Sequence, residues 1–115
     1  MSAETPTAAS TGPLGSTLRV GTVRECVPNA KARRPAYVLT IDLGEHGVRT
    51  SSAQITARYR PEDLVGRQVV VATELGTKLV AGIRSEVLVL GAGDDTGDIV
   101  LLGPDARVPD GMIVH

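Results

Sequence analysis

A two-residue period of apolar side chains, repeated in separate short stretches, limits this chain more than any other feature. Leu18, Val20 and Thr22 alternate with Arg19, Gly21 and Val23. Tyr37, Leu39, Ile41 and Leu43 alternate with Ala36, Val38, Thr40 and Asp42, and Val69, Val71, Thr73 and Leu75 repeat the pattern. Period two in runs rich in Val, Ile and Leu marks β-strands, whose successive side chains point to opposite faces. Gly44-Glu45-His46-Gly47 reads as a turn into a further strand, Val48–Ser52. Val87-Leu88-Val89-Leu90 and Ile99-Val100-Leu101-Leu102 are apolar at every position. Such strands are expected to be buried on both faces, in a barrel core or against a second subunit. Pro61-Glu62-Asp63-Leu64-Val65 suits one helical turn: Pro at the start, acids in the first turn, Gly66 as the stop. Val108-Pro109-Asp110-Gly111 reads as a turn with Pro at its second position.

These signals predict an all-β fold of five or more short strands, with one short helix linking the third to the fourth. That is the outline of a five-stranded Greek-key barrel, the OB-fold, with a small open sandwich as the competitor. Residues 1–16 are Ser/Thr/Ala/Pro/Gly with little apolar content and are expected to form a flexible N-terminal tail before a folded domain over 17–115. A chain of 115 residues can bury one real core, hiding roughly 65% of its unfolded surface. No run of about 18 apolar residues occurs, so membrane insertion is not expected. The N-terminus lacks a basic start and an apolar stretch, which argues against a signal peptide. Cys26 is the only cysteine, so no intrachain disulfide forms, and the expectation is a cytoplasmic protein.

Charge is unevenly distributed although the net value is -1. From Thr17 to Val70 there are nine Lys and Arg against five Asp and Glu, a local +4; from Val71 to His115 there are three against seven, a local -4. The first half can present a positive face, unless both signs mix over one small surface. Tyr37 and Tyr59 are the only aromatic residues. Sequence-tolerant single-strand binders stack bases on several rings, so the chain is unsuited to that task. Recognition of a folded RNA by shape and phosphates remains open.

Candidate contacts follow from this. Lys31, Arg33 and Arg34 sit in one loop between Pro28 and Pro35, and Arg49 and Lys78 fall in loops or strand ends. Arginine forks match phosphate oxygens, and this reading is favoured over a merely solvated loop. Ser51, Ser52 and Gln54 belong to a polar run, Thr50 to Ile55, at the end of a strand. Their hydroxyls and amide can bond RNA phosphates or 2′-hydroxyls, or equally cap the local turn.

Catalysis finds little support. His46 falls in a turn and His115 is the last residue, and Cys26 has no histidine at a recognisable spacing. No Cys/His cluster suggests a metal. Gly91-Ala92-Gly93-Asp94-Asp95-Thr96-Gly97 begins like a dinucleotide loop, but its third Gly is one residue late and two carboxylates stand where a pyrophosphate would lie. An exposed hairpin loop is the better reading. No catalytic residue, metal ligand or cofactor is therefore expected.

Ser51-Ser52-Ala53-Gln54-Ile55-Thr56, followed by Tyr59, Leu64 and Gly66, resembles the signature of the tRNA-binding domain family. Ala81 to Gly91 resembles that family's Gly-x-x-Ser-Glu-x-x-x-Leu strand. Arg19-Val20-Gly21, Pro35 to Asp42, Val100-Leu101-Leu102 and Pro104-Asp105-x-x-Val108-Pro109-x-Gly111 resemble it too. The similarity runs from about Leu18 to the end, and is to free-standing members rather than those fused to a synthetase. It implies an OB-fold, a homodimer, and tRNA bound by its overall shape, with Arg84 and Ser85 joining the RNA contacts. For some free-standing members it also implies a chaperone role toward unfolded, exported precursor proteins, held in apolar cavities on the dimer; Leu75 and Ile83 are the peptide-binding candidates. One departure stands out. Where the family usually carries Asn-Phe-Pro-Pro-Arg, this chain has Glu74-Leu75-Gly76-Thr77-Lys78. Charge and an apolar residue are kept, but the amide, the ring and the stiff prolines are lost, which should reshape a cavity there.

Overall fold

The computed structural model describes residues 17–74, 78–80 and 82–115, without the side chains of 78–80 and 83. The expected tail over 1–16, Leu75 with its Gly76-Thr77 neighbours, and the side chains of Lys78 and Ile83 lie outside the described residues.

The first alternating segment continues further than its sequence period suggests. Strand β1 runs Leu18–Pro28. Its first half pairs antiparallel with β4 (Gln68–Ala72), from Leu18 opposite Ala72 to Thr22 opposite Gln68. Its second half pairs with β2 (Tyr37–Asp42), from Thr22 opposite Asp42 to Pro28 opposite Tyr37. The register slips between Val23 and Glu25, leaving Arg24 as the extra residue of a β-bulge. That is why the sequence alternation fails after Val23: Val23 and Cys26 are three residues apart, yet both enter the core.

β2 pairs with β3 (Val48–Ala53) across a short 3-10 turn at Gly44–His46. Helix α1 spans Pro61–Leu64, and Leu64 is its one buried residue. The Asp63 carboxylate accepts the Arg60 N–H at 3.0 Å. Gly66, at φ 91°, ends the turn and donates its N–H to the Val23 carbonyl. β4 then lies beside β1, and β7 (Leu88–Val89) beside β4, giving the order β3-β2-β1-β4-β7. A fourth strand that returns to lie beside the first is a Greek key. Two hairpins complete the set: β5 (Lys78–Val80) with β6 (Ile83–Ser85), and β8 (Gly91–Gly93) with β9 (Ile99–Leu101).

The outer edge of β3 is closed by the segment Arg84–Val87. The Thr50 carbonyl accepts the Glu86 N–H at 2.9 Å, and the Thr50 N–H donates to Glu86 Oε1 at 3.2 Å. Thr50 Oγ1 donates to the Arg84 carbonyl at 2.7 Å. The Ser52 N–H donates to Ser85 Oγ, which itself donates to the Val87 carbonyl. The result is a nearly closed five-stranded antiparallel barrel with one short helix, the OB-fold expected from the strand pattern rather than an open sandwich. Val23, Leu39, Ile41, Leu64, Val69 and Val71 are completely buried at its centre.

Three local expectations need correcting. β4 ends at Ala72 rather than running to Leu75: the Thr73 N–H and hydroxyl both turn to the Thr17 carbonyl, and Glu74 takes φ 61°. The C-terminal turn is one residue later than expected. Met112 N–H reaches the Pro109 carbonyl, so Gly111, at φ 92°, holds the third position, where a positive φ favours glycine. The segment after it pairs along β1: Gly111 and Val114 donate to the Val20 and Leu18 carbonyls, and Val20 donates to Met112. Finally, Val87–Leu90 and Ile99–Leu102 are not buried on both faces within one chain. Val87 and Leu101 are buried, but Leu88 is 37% and Leu102 45% exposed.

Gly21 marks a close approach in this core. A Cβ there would lie 2.6 Å from Ile41 Cγ2 and 2.7 Å from Leu43 Cδ2. Gly21→Ala should therefore destabilise the fold by ~1–3 kcal/mol through overpacking, read as a lower urea midpoint at unchanged m value.

Candidate nucleic-acid interface

The loop after β1 is organised by Asn29. Its N–H donates to the Ala36 carbonyl, its side-chain oxygen accepts the Lys31 N–H at 3.0 Å, and its amide nitrogen donates to Ser52 Oγ at 3.3 Å. The base of the loop is thereby tied to β3, while Lys31, Arg33 and Arg34 project into solvent. These three cations, with Ala32, Gln54 and Gly82, line an open cleft of roughly 400 Å³. Gly82 matters because a Cβ there would meet the Lys31 stem at 2.9 Å. The hairpin turn and the lysine thus lie against each other. Among the described residues no acid lines this cleft, so its lining charges are all positive.

The structure therefore brings four of the expected RNA contacts together: Lys31, Arg33, Arg34 and Gln54. The others with described side chains fall elsewhere. Arg49 lines a separate cleft with Arg19, His46, Glu74 and Glu86, near the start of β1 rather than its end. Arg84 is exposed on β6. Ser51, Ser52 and Ser85 are 0%, 8% and 3% exposed. Ser52 and Ser85 hold the barrel closed, and Ser51 sits opposite Leu39 with its hydroxyl unpartnered among the described residues. Asn29 and Gly82 escaped sequence reasoning. The asparagine beside Pro28 and the glycine of the Ala81-Gly82-Ile83 run were the available signals.

Other chemistry is sparsely supplied. Burial pushes the Cys26 thiol up to about 11, and it raises the Tyr37 phenol as well. Both groups stay protonated at neutral pH. The two histidines line one cleft with Arg19, Glu45 and the Met112–Ile113 stretch. Among the described residues no group of three or more His, Cys, Asp or Glu is arranged to hold a metal. The Gly91–Gly97 loop is an exposed hairpin turn. Its Asp94 carboxylate accepts the Thr96 hydroxyl, the Thr96 and Asp98 N–H groups and Arg58. These bonds, the Thr96 hydroxyl foremost, hold Asp94 down at about 2.

The family model described as "Putative tRNA binding domain" matches residues 18–112. Among solved structures, the chain is similar to a chaperone CsaA from Bacillus anthracis str. Ames: 49% identity, TM-score 0.83, covering 89% of this chain and 93% of that one. A CsaA chaperone protein from Picrophilus torridus gives 37% identity and TM-score 0.80, covering 87% and 92%. Among curated proteins, "Methionine--tRNA ligase 1" of Sorangium cellulosum is 44% identical over 91 residues, 79% of this chain and 12% of that protein. The methionine–tRNA ligase of Methanothrix thermoacetophila is 45% identical, over 82% of this chain and 14% of its own length. The chain spans a small fraction of these curated relatives.

The buried thiol has a measurable signature. Because folding favours the neutral form, its stabilising effect is complete below the ordinary thiol value of 9.0 and is lost as pH climbs toward about 11. The melting temperature should fall over that interval, and Cys26→Ala should lessen the fall; Tyr37 acts in the same direction and accounts for part of what remains.

Proposed function

The chain belongs to the tRNA-binding domain family and is CsaA-like, and from that premise we propose that it is a non-enzymatic homodimer binding folded tRNA through the cleft of Lys31, Arg33, Arg34 and Gln54. The observation that carries this reading is the convergence of three cations and an amide on one cleft lined, among the described residues, by no acid. Guanidinium forks suit phosphate oxygens, and the Gln54 amide suits a phosphate or a 2′-hydroxyl. Arg49 and Arg84 extend the footprint beyond the cleft. Ser52 and Ser85 act from behind it, by holding the wall that carries Gln54, and Ser51 is fully buried beside them. Binding by shape agrees with the aromatic supply: Tyr37 is buried, and Tyr59 is covered by Arg67.

Dimerisation is supported by apolar surface around the end of β4. Leu90 donates to the Val70 carbonyl, Leu102 to that of Leu90, and Val70 to that of Leu102. This knot brings Val70, Leu90 and the exposed Leu102 together, and the exposed Leu88 stands opposite Ala72. A second copy related by a two-fold axis would cover this face. A chaperone role toward unfolded, exported precursor proteins is also part of the proposal. Its support is the likeness to CsaA and the exposed Val27, Val48 and Met112; binding of tRNA without peptides is the alternative. Among the described residues no helix is long and apolar enough to cross a membrane, and action in the cytoplasm, beside tRNA, completes the reading.

Affinity for folded tRNA should fall steeply with salt. Arg33→Ala or Arg34→Ala should each lower the log–log salt slope by about one unit per lost phosphate contact. Ser85→Ala, a control in the wall, should lower the melting temperature and leave the slope unchanged. Equal affinity for an unstructured oligonucleotide would defeat the shape reading.

Light scattering on a size-exclusion column should return about twice the chain mass at micromolar concentration. A monomer there would remove the dimer, and Leu102→Glu should produce that monomer if the apolar face is the contact.

A further inference from the structure

A second cleft, about 330 Å³, opens between the start of β4 and the loop Gly103–Arg107. We propose that Arg67 and Arg107 form a second phosphate site here, which takes a phosphodiester of the same folded RNA away from the Lys31 cleft. The inference rests on the RNA-binding reading and extends it.

Both guanidiniums are positioned in advance of any ligand. Arg67 lies over the Tyr59 ring, its guanidinium carbon 5.2 Å from the ring centre. Tyr59 is itself held: its phenol oxygen accepts the Leu101 N–H at 3.0 Å, and its carbonyl accepts the Tyr37 hydroxyl at 2.7 Å. An arginine that uses its face on a ring keeps N–H edges for oxygen ligands. Arg107 donates to Thr22 Oγ1 at 3.3 Å, and that hydroxyl donates onward to Asp110 at 2.6 Å. Among the described residues this occupies one of five guanidinium donors and leaves the rest available. Arg24, Arg58 and Arg60 are each paired with a carboxylate, whereas neither Arg67 nor Arg107 has an ion-pair partner among the described residues. Among the described residues Asp105 is the one acid lining the cleft, and it opposes an anion there.

The spacing suits a folded polymer. Thr22, which holds Arg107, and Pro28, which leads into the Lys31 loop, are six residues apart on β1, roughly 20 Å at about 3.3 Å per residue. One nucleotide cannot touch both clefts, but two segments of a folded RNA can.

Titration with inorganic pyrophosphate, followed by nuclear magnetic resonance, reads the site without RNA. The Ala106 and Arg107 amide signals should shift saturably, and should not in Arg67→Gln/Arg107→Gln. The same double variant should bind folded tRNA about tenfold more weakly, with a salt slope lower by about one to two units. Asp105→Asn should bind severalfold more tightly. Arg107→Gln alone leaves the Arg67–Tyr59 contact intact, and serves if the double variant melts early. Unchanged tRNA affinity and slope in these variants, with Arg33→Gln/Arg34→Gln weakened, overturns the second site and leaves the first reading standing. Pyrophosphate shifts with unchanged tRNA affinity overturn RNA as the source of the phosphate. No tRNA binding by the natural chain at low salt overturns the RNA reading itself.

Discussion

The barrel depends on the pairing of β1. Over its first half one edge meets β4 and the other meets the C-terminal segment; over its second half β2 takes one edge, and Arg67 and Gly66 bond Val23 near the other. A strand with both edges engaged from Leu18 to Val23 leaves few backbone groups there to water and sets the register of the segments on either side. The Greek-key order, the position of α1 and the placement of both arginine-bearing clefts follow from which part of β1 each segment bonds.

Closure of the barrel works differently. Between β3 and the Arg84–Val87 segment the ladder is incomplete, and side chains substitute for it: Ser85, Glu86 and Thr50 supply donors and acceptors that a regular strand would supply from its backbone. This explains why short polar residues occupy an otherwise apolar sheet. It also explains why they mislead. A serine hydroxyl has the same chemistry whether it meets an RNA phosphate or a carbonyl across a seam, and only its burial tells the two apart.

That difference decided what could be read in advance. The strands at Tyr37 and Val48 and the turn of helix at Pro61 were legible because period, proline and glycine act locally. The loop cations were legible because Lys31, Arg33 and Arg34 have no apolar surroundings to enter. The far half of β1 was hidden because a bulge breaks the two-residue period. The exposure of Leu88 and Leu102 was hidden because an all-apolar strand looks alike whether its second face meets the core or the outside. Arg67 and Arg107 were invisible as a pair, since forty residues separate them and only β1, β4 and the return of the chain bring them to one cleft.

The bulge at Arg24 also acts as a phase shifter. Before it, one set of alternate positions on β1 points inward; after it, the other set does, so that Cys26 is enclosed and Val27 is outside. Were Arg24 instead taken into a regular ladder without the bulge, Glu25 would fall opposite Leu39 and the end of the strand would turn over by one face. Cys26 would swing outward, Val27 inward, and the cationic loop would leave the barrel on its opposite side. The direction in which Lys31, Arg33 and Arg34 look is thus set by one residue of surplus length, seven positions before the first of them.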